Sequence, residues 1–599
     1  MKALATKALI IILVLAHPVI VLSQKQKEKP IPDQNITTKT SSPKYYQLKI
    51  NEGTGVPAKK EISDKLINEI DELFSPWDND YSPGATIAMV KNGVVIYKKR
   101  YGMANLEYDI PIDSNTVFHV ASLSKQFTIF SILLLEEEGK LNLDDEIRKY
   151  IPEVPDFGKQ ITLRQLANHS SGLRDQWNLL AMAGWRMDDV ITQEHILKMV
   201  YKQKELNFEP GEEFLYCNTG YTLLAEVVSR VSHMKFTDFT KAYIFTPLSM
   251  NNTFFYDDHE KIVKNRAYSY HKEQNGFKKS VLNFENVGAT GLYTTIGDLS
   301  LWALNFTTLK IGNEKLFNKM NAPAVLNNGK TYGGALGQFL GMYKDLQQID
   351  HSGSDAGYRS YLTRFPSENL ALMILANTAE FDPVGIAHKV LDLYFTDQGG
   401  NMPQKQSKKK IKTISSEKNI LRNYVGNYEV HPGFSLNITE NNGQLSIQTT
   451  EQTKSLLKPL SKTVFRVKGK KDKVEFIPED NGDIEFIKIY QKDQILEAIR
   501  TKDFDKTTFQ LSDFIGSYYS EELSTTYTFK IIDEKLIAQH NRLIDFELTP
   551  LKKDVFSANP WFFRQIEFVR DENKKIIGCK VSSGRVRDLK FKKVNYNSL

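Results

Sequence analysis

The chain has 599 residues, of which 41% are hydrophobic, 11% aromatic and 25% charged. That length exceeds what one hydrophobic core holds, so about two to four domains are expected, in a folded rather than a disordered chain. The formal net charge of +6, from 78 basic and 72 acidic residues, is too small to indicate a nucleic-acid partner. Two distant cysteines, Cys217 and Cys579, argue against a disulfide framework and offer no zinc cluster.

Residues 1–23 read as an export signal. Lys2 and Lys7 precede the apolar run from Ala8 to Leu15, and Val21-Leu22-Ser23 resembles a cleavage site. The run is short for a membrane span, so no stable span is expected once the signal is cleaved, and the protein is expected outside the cytoplasm, periplasmic or secreted. Residues 24–60, rich in Lys, Gln, Thr and Pro, read as a flexible tether.

Residues 61–397 show mixed α and β character. Thr86 to Val90 and Val94 to Tyr97 flank Lys91-Asn92-Gly93, a strong hairpin signal. A helix is predicted near Ser122, with Phe127, Phe130, Leu133 and Leu134 on one apolar face and Gly139 ending it. Ala371 to Ala376 reads as a late strand. Strands at both ends with helices between them predict an α+β sheet that closes late in the chain.

Residues 398–418 read as a basic linker, with Lys405, Lys408, Lys409, Lys410 and Lys412. Beyond it the sequence repeats. Leu421, Tyr424, Gly426 and Tyr428 match Leu511, Phe514, Gly516 and Tyr518, and Val474 to Ile477 matches Ile566 to Val569. Alternating runs and Asn-Gly turns make both units all-β. Two similar small barrels or sandwiches are predicted over residues 419–505 and 506–599, with a lipocalin-like barrel as the assigned form.

Three short motifs carry chemistry. Ser122 and Lys125, three apart at a helix start, lie on one face, where the helix end favours an alkoxide and a buried lysine can act as a base. The spacing alone is weak, because Ser41 with Lys44, Ser232 with Lys235, Ser407 with Lys410 and Ser415 with Lys418 share it. Tyr216-Cys217-Asn218 lies in a loop after Pro210-Gly211, where a phenol beside an ammonium can relay protons. His351-Ser352-Gly353 precedes Ser354 and a strand from Arg359 to Phe365; a glycine there lets a substrate approach an edge strand.

These three motifs, in this order, resemble those of the serine beta-lactamase and penicillin-binding-protein superfamily, in its class C-like branch. Leu166 to Leu173, Thr246 to Met250 and Gly288 to Thr295 agree with the same pattern. The resemblance implies an antiparallel sheet flanked by helices. It implies Ser122 as nucleophile, Lys125 and Tyr216 as the proton-transfer pair, Asn218 orienting Lys125 and the substrate amide, His351 steadying the Tyr216 network or the substrate's polar end, and an oxyanion held by the backbone N–H groups of Ser122 and Ser354. Ser352 and Gly353 would contact substrate, and no metal or other cofactor is called for.

The chain departs from the pattern at His351, where Lys is usual, and at Cys217, where Ser is usual. A histidine there is a weaker, pH-dependent cation. It resembles D-aminopeptidases and some esterases of the superfamily, so a small peptide, amide or ester substrate is expected, with a D-amino-acid or cell-wall peptide favoured. A carboxylesterase or weak beta-lactamase is the alternative within the class. A ligand-binding sensor without turnover is the competing class, with the β units as docking surfaces; a third reading gives the β units the main role, in adhesion or assembly, with the enzyme as passenger.

Overall fold

The computed structural model describes residues 62–398, 418–449, 454–469, 472–479, 483–491, 494–501 and 510–594. The expected signal (1–23), tether (24–60) and all of the basic linker but its two end residues lie outside them.

Asn92 and Gly93, with φ of 49° and 81°, form the predicted hairpin turn between the strands Ala85–Lys91 and Val94–Tyr101. The late strand Leu370–Ala376 pairs antiparallel with the first, Ile87 opposite Ile374, so the two ends of the domain close one sheet. The sheet has seven strands, in the order Gly334–Ala335, Gln338–Tyr343, Leu346–Asp355, Tyr358–Phe365, Leu370–Ala376, Ala85–Lys91 and Val94–Tyr101.

Both faces of this sheet are covered. Ile87, Met89, Leu372 and Ile374 face the helices Asp64–Phe74 and Pro383–Asp397, through Leu66, Ile70, Phe74 and Val390. Ala88, Val90, Met373 and Leu375 face the other way, toward Phe127 and Trp302. With both faces buried, the central strands are almost continuously apolar.

The predicted helix runs Ser124–Glu137, and Gly139, at φ 71°, follows its C-terminal cap. It is buried almost all round rather than along one face: Lys125, Gln126, Thr128 and Ser131 are as buried as Phe127 and Phe130. The helix is central, so its polar residues must find partners inside the protein.

The repeat resolves into two closed barrels of eight strands each, spanning Gly426–Arg500 and Gly516–Val594. Of the two forms expected from the sequence, barrel and sandwich, the barrel is the one formed. The matched residues do the same work in both. Tyr428 donates to the carbonyl of Tyr424 across 3.0 Å, and Tyr518 donates to that of Phe514 across 2.9 Å. Tyr424 stacks on Phe476 at 4.3 Å, and Phe514 meets Phe568 at 4.6 Å.

The second barrel's core is continuous with that of the α+β domain. Tyr527 donates to the carbonyl of Met182 at 2.9 Å, and the buried Arg174 pairs with the buried Glu522 at 2.7 Å. The first barrel in turn leans on the second. Its His431-Pro432-Gly433 turn brings Gly433, at φ 81°, so close to Ser582 that a Cβ would sit 2.9 Å from the Ser582 carbonyl carbon.

Candidate active site

The chain turns sharply into the central helix. Ala121 adopts φ 48°, a conformation that costs a side-chain-bearing residue energy, and Ala121–Leu123 form a short 3-10 turn that presents Ser122 half-buried. Ser124 fixes this turn: its hydroxyl donates to the Ala121 carbonyl (2.6 Å) and accepts from the Leu292 N–H (3.1 Å). Such strain, held from several sides, is common where a catalytic group is displayed.

Lys125 lies fully buried one turn along. Its Nζ donates to Ser122 Oγ at 3.1 Å, to Asn218 Oδ1 at 2.9 Å and to the Ala289 carbonyl at 2.7 Å. Burial lowers its pKa to about 7, and the Arg585 guanidinium adds to that, while Asp355 and Asp175 pull the other way. A lysine poised there can take a proton near neutral pH. The contrast with Ser232 and Lys235 shows what the spacing alone lacks: Lys235 is exposed, just past the end of the helix Asn218–Ser232.

Tyr216 sits beside this pair, with the Lys125 Nζ 5.0 Å from its ring centroid. Burial raises its phenol well above the ordinary range, and the Ser122 hydroxyl and Arg585 counteract that only in part. Tyr216 therefore holds its proton at neutral pH. The His169 ring lies 4.2 Å from that of Tyr216, tilted by 31°, and accepts the Cys217 N–H through Nδ1 at 3.1 Å. Burial first, then Lys125, holds His169 neutral.

Asn218 opens the helix Asn218–Ser232. Asp175 Oδ2 accepts both its backbone N–H (2.7 Å) and its Nδ2 (2.8 Å), which aims Oδ1 at Lys125. A carboxylate at that helix start also suits the helix dipole. Cys217 is buried, burial pushes its thiol up to about 12, and Sγ donates to the Leu173 carbonyl at 3.4 Å. It is a packing residue there, not a thiolate.

The third motif lies on the strand Leu346–Asp355, whose neighbour Gln338–Tyr343 pairs with it only as far as Asp350. His351 to Asp355 therefore pair on one side alone, with Tyr358–Phe365. Ser352 and Ser354 are exposed. Gly353 is needed for a close approach: a Cβ would sit 2.3 Å from the Val120 carbonyl and 2.3 Å from Ser360 Oγ. The missing side chain thus lets the strand lie against the turn that carries Ser122.

His351 differs from its expectation. It is buried, its Nδ1 is 2.6 Å from the Ser352 carbonyl, and its Nε2 has no partner. Burial, reinforced by Lys125, lowers its pKa to about 3, so at physiological pH it is a neutral imidazole and not a pH-dependent cation. Its ring centroid is 6.1 Å from that of Tyr216 and 5.3 Å from that of Phe339. It lines the site as part of an aromatic wall.

The structure thus gathers Ser122, Lys125, Tyr216 and Asn218 in one network, with the His351 to Ser354 strand segment packed against the Ser122 turn. Asp175, Phe339 and Arg585 complete the surroundings without any sequence signal of their own, and Ala289 lies in the Gly288 to Thr295 segment that carried one. From Ser354 a groove of about 380 Å³ leads past Trp177, Val281 and Phe284.

Residues 70–394, just over half the chain, match the family described as Beta-lactamase. The chain belongs to the Beta-lactamase family. It is a serine hydrolase of that family, and the sheet, central helix and three motifs are the family domain. Residues 410–510 match a second family, described as a domain of unknown function (DUF3471), over the first barrel.

Among curated relatives, Penicillin-binding protein 4* of Bacillus subtilis is 29% identical, over 72% of this chain and 98% of that protein. The D-aminopeptidase of Gluconobacter oxydans is 24% identical, over 49% of this chain and 56% of that protein. This hydrolase therefore aligns with little more than half of the D-aminopeptidase. An octameric penicillin-binding protein homologue from Pyrococcus abyssi shares the fold, with a TM-score of 0.51 and 24% identity over 73% of this chain and 99% of that one. Among the described residues no helix is long and apolar enough to cross a membrane.

Proposed function

We propose that this hydrolase is exported and acts on small peptide, amide or ester substrates through an acyl-enzyme on Ser122. D-amino-acid-containing or cell-wall peptides are the favoured substrates. The observation that carries the reading is the buried Lys125, 3.1 Å from Ser122 Oγ and with a pKa of about 7. A pure binding module has no need to bury a lysine that gives up its proton near neutral pH against a serine.

In this mechanism Ser122 Oγ attacks the substrate carbonyl while its proton passes to Lys125. The oxyanion rests on the backbone N–H groups of Ser122 and Ser354. Tyr216 gives a proton to the leaving group, and Lys125 recharges Tyr216. Water then takes the reverse path and releases the acid. Asn218 and Asp175 hold Lys125 in line, and Ser352 and Gly353 offer backbone groups to the substrate. Neutral His351 offers an unpaired nitrogen rather than a charge. This favours a peptidase or esterase over a dedicated beta-lactamase.

The D-aminopeptidase relative supports peptide substrates, and the apolar run from Ala8 to Leu15 supports export. Hydrolysis of a D-aminoacyl anilide, a D-Ala-D-Ala peptide, a short nitrophenyl ester and a chromogenic cephalosporin tests the substrate class. Faster turnover of the D-aminoacyl or D-Ala-D-Ala compound is expected; turnover of the cephalosporin alone would contradict it.

A further inference from the structure

The second barrel reaches into the site. The turn between its strands Ile576–Ser583 and Val586–Val594 carries Arg585. The catalytic domain grips this turn through its backbone and flanks. The Arg585 carbonyl accepts from the Asp175 N–H at 3.2 Å and from Asn207 Nδ2 at 3.0 Å. Asn178 donates to Ser583 Oγ at 2.9 Å, and Asn207 Oδ1 accepts the Arg587 N–H at 2.8 Å.

So held, the turn sets the Arg585 guanidinium 5.0 Å from the Tyr216 ring centroid. Its carboxylate neighbour among the described residues, Asp175 Oδ2, is 3.9 Å away, beyond hydrogen-bond range, and already accepts two N–H groups of Asn218. The side chain is 39% exposed, so the guanidinium beside Tyr216 is open to solvent.

The other cations nearby are committed. Lys125 points at Ser122, Asn218 and Ala289. Arg587 is paired with both oxygens of Glu213, and Arg174 with Glu522. Asp355, the other carboxylate near the site, is tied to His119 and Thr290. His169 and His351 are uncharged. Arg585 is left with a positive charge and unspent donors beside the reacting groups. A guanidinium fork of this kind binds a carboxylate through two parallel hydrogen bonds.

We propose that Arg585, carried into the active site by the second barrel, is a specificity-determining residue that selects acyl donors bearing a carboxylate near the scissile bond. The inference rests on the Ser122 acyl-enzyme reading and assigns the second barrel a place in substrate recognition.

Full-length protein is labelled at Ser122 with a fluorophosphonate in the presence of glutarate or of its neutral isostere glutaramide. Glutarate is expected to slow labelling at a concentration at least about tenfold below that needed for glutaramide, one well-formed charged contact being worth at least that factor. Arg585→Ala should bring the two within about twofold, Arg585→Lys should restore part of the difference, and Arg585→Glu should reverse it. Matched N-acetyl-D-glutamyl and D-glutaminyl anilides give the same ratio in kcat/KM, with the change in KM. Equal protection by both compounds in the native protein, or an undiminished preference in Arg585→Ala, would overturn the proposal while leaving Ser122 as nucleophile. Absence of labelling on Ser122 in the native protein would overturn both readings.

Discussion

Asp175 Oδ2 accepts both the backbone N–H and the side-chain Nδ2 of Asn218, so one buried carboxylate fixes the residue that aims Lys125 at Ser122. The same side chain caps the helix Gln176–Met182 through the Trp177 N–H, and its own N–H holds the Arg585 turn. Catalytic network, helix cap and interdomain contact meet at this residue. Asp175→Ala is expected to lose about 2–4 kcal/mol of stability, from hydrogen bonds to a charged group and a lost cap. It should also lower kcat by at least about tenfold through misplacement of Lys125. Denaturant unfolding and steady-state kinetics on the variant measure both.

Lys125 predicts the pH profile. Its proton leaves at about 7 in the folded chain, so acylation should rise with pH through about 7 and then level off. His351, with a pKa of about 3, should add no inflection there. Single-turnover acylation rates from pH 5 to 9 test this. Lys125→Ala should remove the inflection with at least about a hundredfold loss of rate.

The same shifts predict the pH dependence of stability. An unfolded lysine keeps its proton up to about 10.4, so between about 7 and that value unfolding takes up a proton and raising the pH stabilises the fold. An unfolded histidine binds a proton below about 6.5, whereas His351 resists protonation down to about 3. Lowering the pH through that window therefore destabilises the native protein. His351→Gln should flatten this acid slope, as read by unfolding midpoints at pH 7 and pH 5.

Docking of the second barrel predicts an asymmetric cost. Glu522→Ala takes away the buried carboxylate of the Arg174 guanidinium and leaves it only the part-exposed Glu205 at 3.7 Å, a loss of up to about 3–5 kcal/mol. Lys204→Ala, which removes the exposed pair with Glu521, should cost at most about 1 kcal/mol. Thermal unfolding of the two variants gives the comparison.

Much of this was legible in the sequence, where the signal was local. Asn92-Gly93 dictates its turn because few other residues adopt positive φ, and the barrel repeat shows because Tyr428 and Tyr518 make the same backbone contact. Ser122, Lys125, Tyr216 and Asn218 converge as their order implied. The charge state of His351 was not legible, since a residue type does not reveal its burial. Nor was the role of Asp175 or Arg585. Each is an ordinary polar residue in a loop or turn until the fold brings it beside Asn218 or Tyr216. The strain at Ala121 has no sequence mark either, because alanine is not a residue that favours positive φ.

The central claim is that Ser122 is the nucleophile and Lys125 its base. Intact-protein and peptide mass spectrometry after fluorophosphonate treatment at pH 8 tests it most directly. One adduct on the peptide containing Ser122 is predicted, absent in Ser122→Ala and formed at least about a hundredfold more slowly in Lys125→Ala. No adduct on that peptide, together with unchanged hydrolysis by Ser122→Ala, would contradict it.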